Sequence, residues 1–139
     1  MTPADFAAVH ERAFQPHARG WRADEFEQLL ANPSTYWVGD TRAFALARIV
    51  GEEAELLTLA CDPEHQRQGL ARACLIELMK ATRLRSARRV FLEVASDNLA
   101  ALGLYATLGF KRVGLRERYY HRSEEVPVDA IVLRKSLCA

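Results

Sequence analysis

The stretch Leu56-Leu57-Thr58-Leu59-Ala60-Cys61-Asp62-Pro63-Glu64-His65-Gln66-Arg67-Gln68-Gly69-Leu70-Ala71-Arg72 decides the fold. Its first six residues are apolar apart from Thr58 and do not alternate, as in a strand with both faces buried. Such a strand is expected to sit centrally, with helices above and below. Residues 62–69 form a polar turn. From Leu70 the period changes: Ala71, Cys74, Leu75, Leu78 and Thr82 recur at helical spacing, on one face of a helix ending near Arg85. The first turn of a helix carries unpaired N–H groups and the positive end of the dipole. Gly69 has no Cβ, so an anion can approach that backbone closely. Arg67 and Arg72 stand at the same mouth. The chemistry suggested is a pyrophosphate held by main chain. The spacing is not GxGxxG and no lysine occupies the Walker position, which excludes an ATPase P-loop. On these residues alone, an ordinary β–α turn is the plainer alternative.

Upstream, Thr2-Pro3 reads as an N-cap and a first-turn proline, opening a helix to about Phe14. Residues 15–22 form a loop. A short helix over 24–31 is stopped by Asn32-Pro33. Strands are expected at 35–38, 43–50 and 55–61, with hairpin turns at Gly39-Asp40 and Gly51-Glu52. Downstream, Val90, Leu92 and Val94 alternate with Phe91 and Glu93 in another strand. Asn98 caps a helix through Leu108, and Gly109 ends it. Two last strands cover 110–118 and 126–133. The order ααβββαβαββ mixes strand–helix–strand units with hairpins, giving an α/β fold with a mixed sheet and helices on both faces.

The chain has 139 residues, half of them apolar and 27% charged. That suits one domain over residues 1–139 and excludes a disordered or collagen-like chain. No apolar run is long enough to span a bilayer, and the opening MTPADFAAVHERAF lacks the apolar core of a secretory signal. Cys61, Cys74 and Cys138 form neither a disulfide framework nor a CxxC pattern. His10, His17, His65 and His121 are scattered without metal-ligand spacing. A cytoplasmic location is expected, with neither metal, DNA nor membrane as partner. The net charge of +1 hides an asymmetry: residues 1–65 hold 5 Arg against 11 acids, whereas residues 66–89 hold seven cations against Glu77. A second basic stretch spans Lys111, Arg112, Arg116, Arg118 and Arg122. Such charge attracts polyanions, although a solvated helix face is the bland alternative.

Gln66-Arg67-Gln68-Gly69-Leu70-Ala71 matches Q/R-x-x-G-x-G/A, the acetyl-CoA signature of the GNAT superfamily of N-acetyltransferases, which the chain resembles over nearly its whole length and most densely from Leu57 to Ile131. Leu92-Glu93-Val94, Asn98 with Ala100-Ala101, Leu104-Tyr105 and Leu108-Gly109-Phe110 resemble the second half of the signature. Arg118-Tyr119-Tyr120, Asp129-Ala130-Ile131 and Trp21 with Phe26 are similar to the RimI-type ribosomal-protein-alanine N-acetyltransferases. The family usually begins with a strand before its first helix. Only Met1-Thr2 precede that helix here, so the first strand is expected to be short or missing.

The resemblance implies a GNAT fold with acetyl-CoA as co-substrate. Arg67, Gln68, Gly69, Leu70, Ala71 and Arg72 would hold its pyrophosphate, Leu59, Ala60 and Cys61 would pair with the pantetheine arm, and Asn98 would contact CoA. Asn98 and Tyr105, seven residues apart, are expected on one helix face, and the resemblance sets Tyr105 near the thioester sulfur. A plain N-cap and a half-buried aromatic are the simpler roles for these two. Glu93 is a carboxylate among apolar strand residues, hence paired, protonated or functional. The plain alternative is a Glu exposed at the strand end or paired with Arg88, Arg89 or Arg112. The resemblance implies Glu93 as general base, Tyr105 as general acid, and Trp21, Tyr119 and Tyr120 along the acceptor. Cys61 has no histidine at a telling spacing and reads as a small packing residue.

The expected activity is acetyl transfer to a protein N-terminal α-amine, with a ribosomal protein as the first guess. A lysine, polyamine or small amine is the alternative acceptor, and a non-catalytic CoA- or RNA-binding module the alternative of another class. Glu93 and Tyr105 favour the enzyme, since a binding module needs neither.

Overall fold

The computed structural model describes residues 1–14, 20–120 and 128–137; side chains of 118–120 are outside the described set, as are Cys138, His17 and His121. The elements are α1 (Pro3–Phe14), α2 (Ala23–Ala31), β1 (Thr35–Gly39), β2 (Ala43–Val50), β3 (Glu53–Cys61), α3 (Leu70–Leu84), β4 (Arg89–Ala95), α4 (Leu99–Thr107), β5 (Lys111–Tyr120) and β6 (Val128–Ser136). This is the order expected from the sequence. A 3₁₀ turn, Pro63–His65, lies between β3 and α3. The boundaries move by a few residues: β3 begins at Glu53 rather than 55, and β6 runs to Ser136 rather than 133. Met1 and Thr2 are not in a strand. Instead Thr2 caps α1, its Oγ1 accepting from the Asp5 N–H while its own N–H donates to the Asp5 carboxylate.

The six strands lie in the order β1-β2-β3-β4-β6-β5, and the β3–β4 pair is parallel while the other neighbours are antiparallel. β2 shows how the two faces are built. Ala43, Ala45 and Ala47 face one way and their small side chains let α3 pack close, with Leu75, Leu78 and Met79. Phe44 and Leu46 face the other way, beneath Phe6 and Val9 of α1 and Phe26 of α2. Phe6 stacks on Phe26 at 5.4 Å and meets Trp37 and Phe44 edge-on at 5.0 and 4.8 Å. Met79 is buried on α3, which the spacing argument missed. Thr82 donates to the Leu78 carbonyl and so accepts from the Tyr36 hydroxyl, a satisfied polar bridge from α3 to β1.

The central strand has both faces packed, as its apolar run implied, and a bulge explains the missing alternation. Consecutive residues Leu46 and Ala47 of β2 stand opposite Thr58 and Leu56 of β3, so Leu57 is the extra residue. Before the bulge, Ala54 and Leu56 face α3; after it, Leu59 and Cys61 do, while Ala60 turns to α1 and α2.

The bulge sits where β3 leaves β4. The parallel register between them covers Glu53 with Arg89, Ala54 with Val90 and Glu55 with Phe91. β3 then continues to Cys61 beside β2, and β4 to Ala95 beside β6. The sheet therefore splits at the carboxyl ends of its two parallel strands, where α3 and α4 begin. Ligands of open α/β sheets bind at such points. Among the described residues, no helix is long and apolar enough to cross a membrane.

Candidate active site

The loop from β3 to α3 is held from below. Asp62, 6% exposed, caps the 3₁₀ turn by accepting the Glu64 N–H at 3.0 Å. From α1, Arg12 donates to the same carboxylate through Nε at 2.8 Å and lies 2.7 Å away through Nη2. The Glu64 N–H and then Arg12 hold the Asp62 carboxyl below its ordinary pKa. Above this base Arg67 and Gly69 both have left-handed backbone, with φ of 64° and 75°. A non-glycine residue in that region is uncommon, and such strain marks functional loops. A Cβ on Gly69 would meet nothing within 4 Å. The glycine serves the backbone turn, and the space over it is open. It gives α3 no side-chain cap, and no acid stands in the first turn. The N–H groups of Leu70, Ala71 and Arg72 are thus presented to an anion, beside exposed Arg67 and Gln68. Arg72 reaches across to Thr107 Oγ1 at 3.1 Å, tying the start of α3 to α4. A pyrophosphate fits this mouth.

Leu59, Ala60 and Cys61 form the β3 edge of the split, the edge to which an extended amide-bearing arm could hydrogen-bond. Cys61 is half-buried with its Sγ 3.6 Å from the Asp62 carbonyl and 3.7 Å from that of His65. Burial, then the charge of Asp62, pushes its thiol up. A thiol held protonated is a poor nucleophile. Burial likewise raises Cys74 to about 11.

Glu93 and Tyr105 lie on opposite sides of the sheet. Val90, Leu92 and Val94 of β4 face α3, so the alternating Glu93 faces the α1–α2 side. Its side chain is 27% exposed and accepts from Arg116 Nη1 of β5 at 2.7 Å. The ion pair is therefore with Arg116, not with Arg88, Arg89 or Arg112. Tyr105 is 6% exposed in the core under α4, edge-on to Phe110 at 5.6 Å. It is thus more buried than the sequence suggested. Asn98 is exposed and stands outside the helix as its N-cap, accepting the Ala101 N–H at 3.2 Å. Counting both on one helical face is therefore corrected: the cap residue does not have helical dihedrals.

Trp21 stacks on His10 at 4.7 Å and packs on Phe26 at 5.6 Å. The Trp21 backbone N–H donates to His10 Nδ1 at 3.0 Å. Trp21 also lines a groove of about 450 Å³ with Leu29, Thr35 and Arg48. Thr35 and Arg48 lie level with Glu55, where β3 and β4 are still paired, so this groove is not the split. Tyr119 and Tyr120 fall in β5 at the end where β6 begins, with Tyr120 opposite Val128; their side chains lie outside the described set. The sequence reading missed His10, Arg12, Asp62 and Arg116. His10, Arg12 and Arg116 act through partners far along the chain, which no local spacing signals, whereas Asp62 before Pro63 also caps its own turn through the Glu64 N–H, a local pattern.

The comparisons agree with this architecture. The family model described as Acetyltransferase (GNAT) family matches residues 4–110. The chain is 40% identical over 137 residues to a protein of Escherichia coli named ribosomal protein bS18-alanine N-acetyltransferase, covering 96% of this chain and 92% of that one. It is 37% identical over 124 residues to the N-alpha-acetyltransferase RimI of Mycobacterium tuberculosis, covering 83% and 75%. The crystal structure of the Escherichia coli ribosomal-protein-alanine N-acetyltransferase superposes with a TM-score of 0.86 at 30% identity, covering 99% of this chain and 88% of that one. Ard1 of Thermoplasma volcanium shares the fold, with a TM-score of 0.83 at 21% identity over 100% and 95% of the two chains. The split sheet, the uncapped glycine turn and these relatives converge: the chain belongs to the GNAT family and is an acetyl-CoA-dependent N-acetyltransferase.

Proposed function

We propose that the chain acetylates the N-terminal α-amine of a protein, with the N-terminal alanine of a ribosomal protein as its first candidate. The observation that carries the reading is the split between β3 and β4. An anion-fitting helix start opens on one side of it, and a carboxylate stands on the other. The names of the relatives point to the same acceptor. An α-amine has a pKa of about 8 against about 10.4 for lysine, so a modest base exposes the neutral nucleophile. We place the enzyme in the cytoplasm, where ribosomal proteins are made.

In this reading the main chain from Arg67 to Arg72 holds the pyrophosphate of CoA and Asn98 contacts it. The edge of β3 at Leu59, Ala60 and Cys61 aligns the pantetheine arm. Trp21, Tyr119 and Tyr120 flank the acceptor. Glu93 takes the ammonium proton, directly or through a water, and Arg116 Nη1, 2.7 Å away, orients its carboxylate. A backbone N–H near Ala60 and Cys61 meets the charge that develops on the thioester oxygen. The free amine attacks the thioester carbonyl, the C–S bond breaks as Tyr105 gives its phenolic proton to the departing thiolate, and the surplus proton on the new amide nitrogen restores the phenol. The test is acetylation of matched peptides. An N-terminal alanine peptide should be acetylated far faster than its N-blocked lysine counterpart or a polyamine. Equal rates on lysine or polyamine would overturn the reading.

A further inference from the structure

The end of the sheet remote from the split is crowded with cations. Glu53, Arg89 and Ser136 are register partners there, so β3 and β4 begin at this end and β6 finishes at it. β5 begins at the same end, with Lys111 opposite Arg134. α3 starts at the split and finishes here, with Arg85 as its C-cap. Arg83, Arg85, Lys111, Arg112 and Arg134 are all exposed. Among the described residues, no carboxylate lies within 4.0 Å of any of the five. The acids of this end, Glu52 and Glu53, are already taken: Arg89 Nε lies 2.9 Å from Glu53, and Arg88 and Arg89 lie 4.0 and 3.9 Å from Glu52.

The arrangement selects its partner. In a chain whose net charge is only +1, these five cations are strung along this end of the sheet, from Arg85 beside Tyr36 of β1 at one edge to Lys111 and Arg112 of β5 at the other. Four of the five are arginines, whose planar forks suit phosphate oxygens. Arg85 is held in place, its Nη1 donating to the Ala81 carbonyl at 3.1 Å and its guanidinium 4.1 Å over the Tyr36 ring. A membrane surface would need an apolar stripe beside the charges, but the apolar stripe of α3 is spent on the core. The exposed large apolar residues at this end, Val50, Leu84 and Val113, stand singly on β2, α3 and β5 and form no such stripe. We propose that this end of the domain is an RNA-docking surface that grips phosphates and leaves the acetyl site, at the other end, free to work. This goes beyond the proposed acceptor and does not depend on it.

The test is polarisation of a fluorescent single-stranded RNA by the intact chain. Binding at low salt is expected. Four phosphate contacts would weaken it about 50-fold between about 50 and 200 mM salt. The variant Arg83→Glu/Arg112→Glu/Arg134→Glu should lose at least tenfold in RNA affinity while keeping its melting temperature, acetyl-CoA affinity and peptide acetylation. The corresponding triple glutamine variant serves if the charge reversals impair folding. Saturating acetyl-CoA should leave RNA binding unchanged. Absence of binding at low salt, insensitivity to the triple variants, competition by acetyl-CoA, or equal affinity for anionic phospholipid vesicles would each overturn the proposal.

Discussion

His10 Nε2 lies 3.0 Å from Thr58 Oγ1, joining the first helix to the residue that follows the bulge in β3. The other ring nitrogen accepts the Trp21 N–H, so Nε2 carries the proton and donates it to Thr58. One buried imidazole therefore connects the loop that carries Trp21 with the strand that lines the split. Both bonds form inside a stack of Phe14, Trp21 and Phe26 rings, where water does not compete.

Replacing Thr58 by valine keeps the shape and removes the acceptor. The cost of leaving a buried donor without this partner is about 1–3 kcal/mol. Thermal unfolding of Thr58→Val should shift down by several degrees. The acceptor peptide KM should rise more than that of acetyl-CoA, because the imidazole that holds the Trp21 backbone loses its tie to β3. Thr58→Ser should restore both. A valine variant with unchanged stability and KM would show that the contact positions nothing.

At Gly69 stability and binding should separate. With φ at 75° and open space above, an alanine meets no neighbour and pays only backbone strain, about 1–2 kcal/mol. Valine adds a branched side chain over the helix start. Calorimetry should find acetyl-CoA affinity reduced at least tenfold in Gly69→Val, with a fold still cooperative by thermal melting. Unchanged affinity would move the pyrophosphate elsewhere.

The element order and the glycine turn before α3 were legible because their signals are local. Gly69 before an amphipathic run, Asn98 before another, and Ala43 to Val50 alternating small with large each announce themselves within a few residues. The bulge at Leu57 was visible only as a lack of alternation. The same six letters fit a strand buried on both faces without a bulge, and the choice depends on the register with β2. The partner of Glu93 was unreadable for a similar reason. Arg116 is 23 residues away and reaches Glu93 from β5, over the intervening strand β6. The depth of Tyr105 depends on how α4 lies over the sheet, which no spacing along the chain encodes.

Acid should loosen the base of the loop. The Asp62 carboxyl is held below its ordinary value of 3.8 in the folded chain, first by the Glu64 N–H and then by Arg12. A lowered carboxylate contributes stability above its unfolded pKa, and that stability is lost as pH falls through the folded value. Asp62→Asn should therefore be less stable than the parent at pH 7, by about 1–3 kcal/mol for a buried charge-assisted cap. The gap should narrow below pH 4. Denaturant titrations at pH 7 and 3 measure it, and a gap that stays constant would assign the contribution to shape rather than charge.

Four substitutions decide whether the acetyl group passes directly from acetyl-CoA to the amine. Glu93 is part-exposed and its pair with Arg116 is at the surface, worth about 0–1 kcal/mol, so Glu93→Gln should fold normally. Tyr105→Phe keeps the ring packed on Phe110 and loses one hydroxyl. Each should lower kcat by about 10²–10⁴-fold, the usual worth of a general base or acid, with acetyl-CoA affinity nearly kept. Arg116→Gln separates chemistry from pairing. It breaks the ion pair but leaves the carboxylate, so its kcat should fall far less than that of Glu93→Gln. Cys61→Ala should remain active, because a half-buried thiol pushed above its ordinary pKa is not a ready nucleophile. Steady-state kinetics should show both substrates bound before product leaves. Ping-pong kinetics together with an inactive Cys61→Ala, or an acetyl group trapped on Cys61, would transfer the nucleophile from the acceptor amine to the protein.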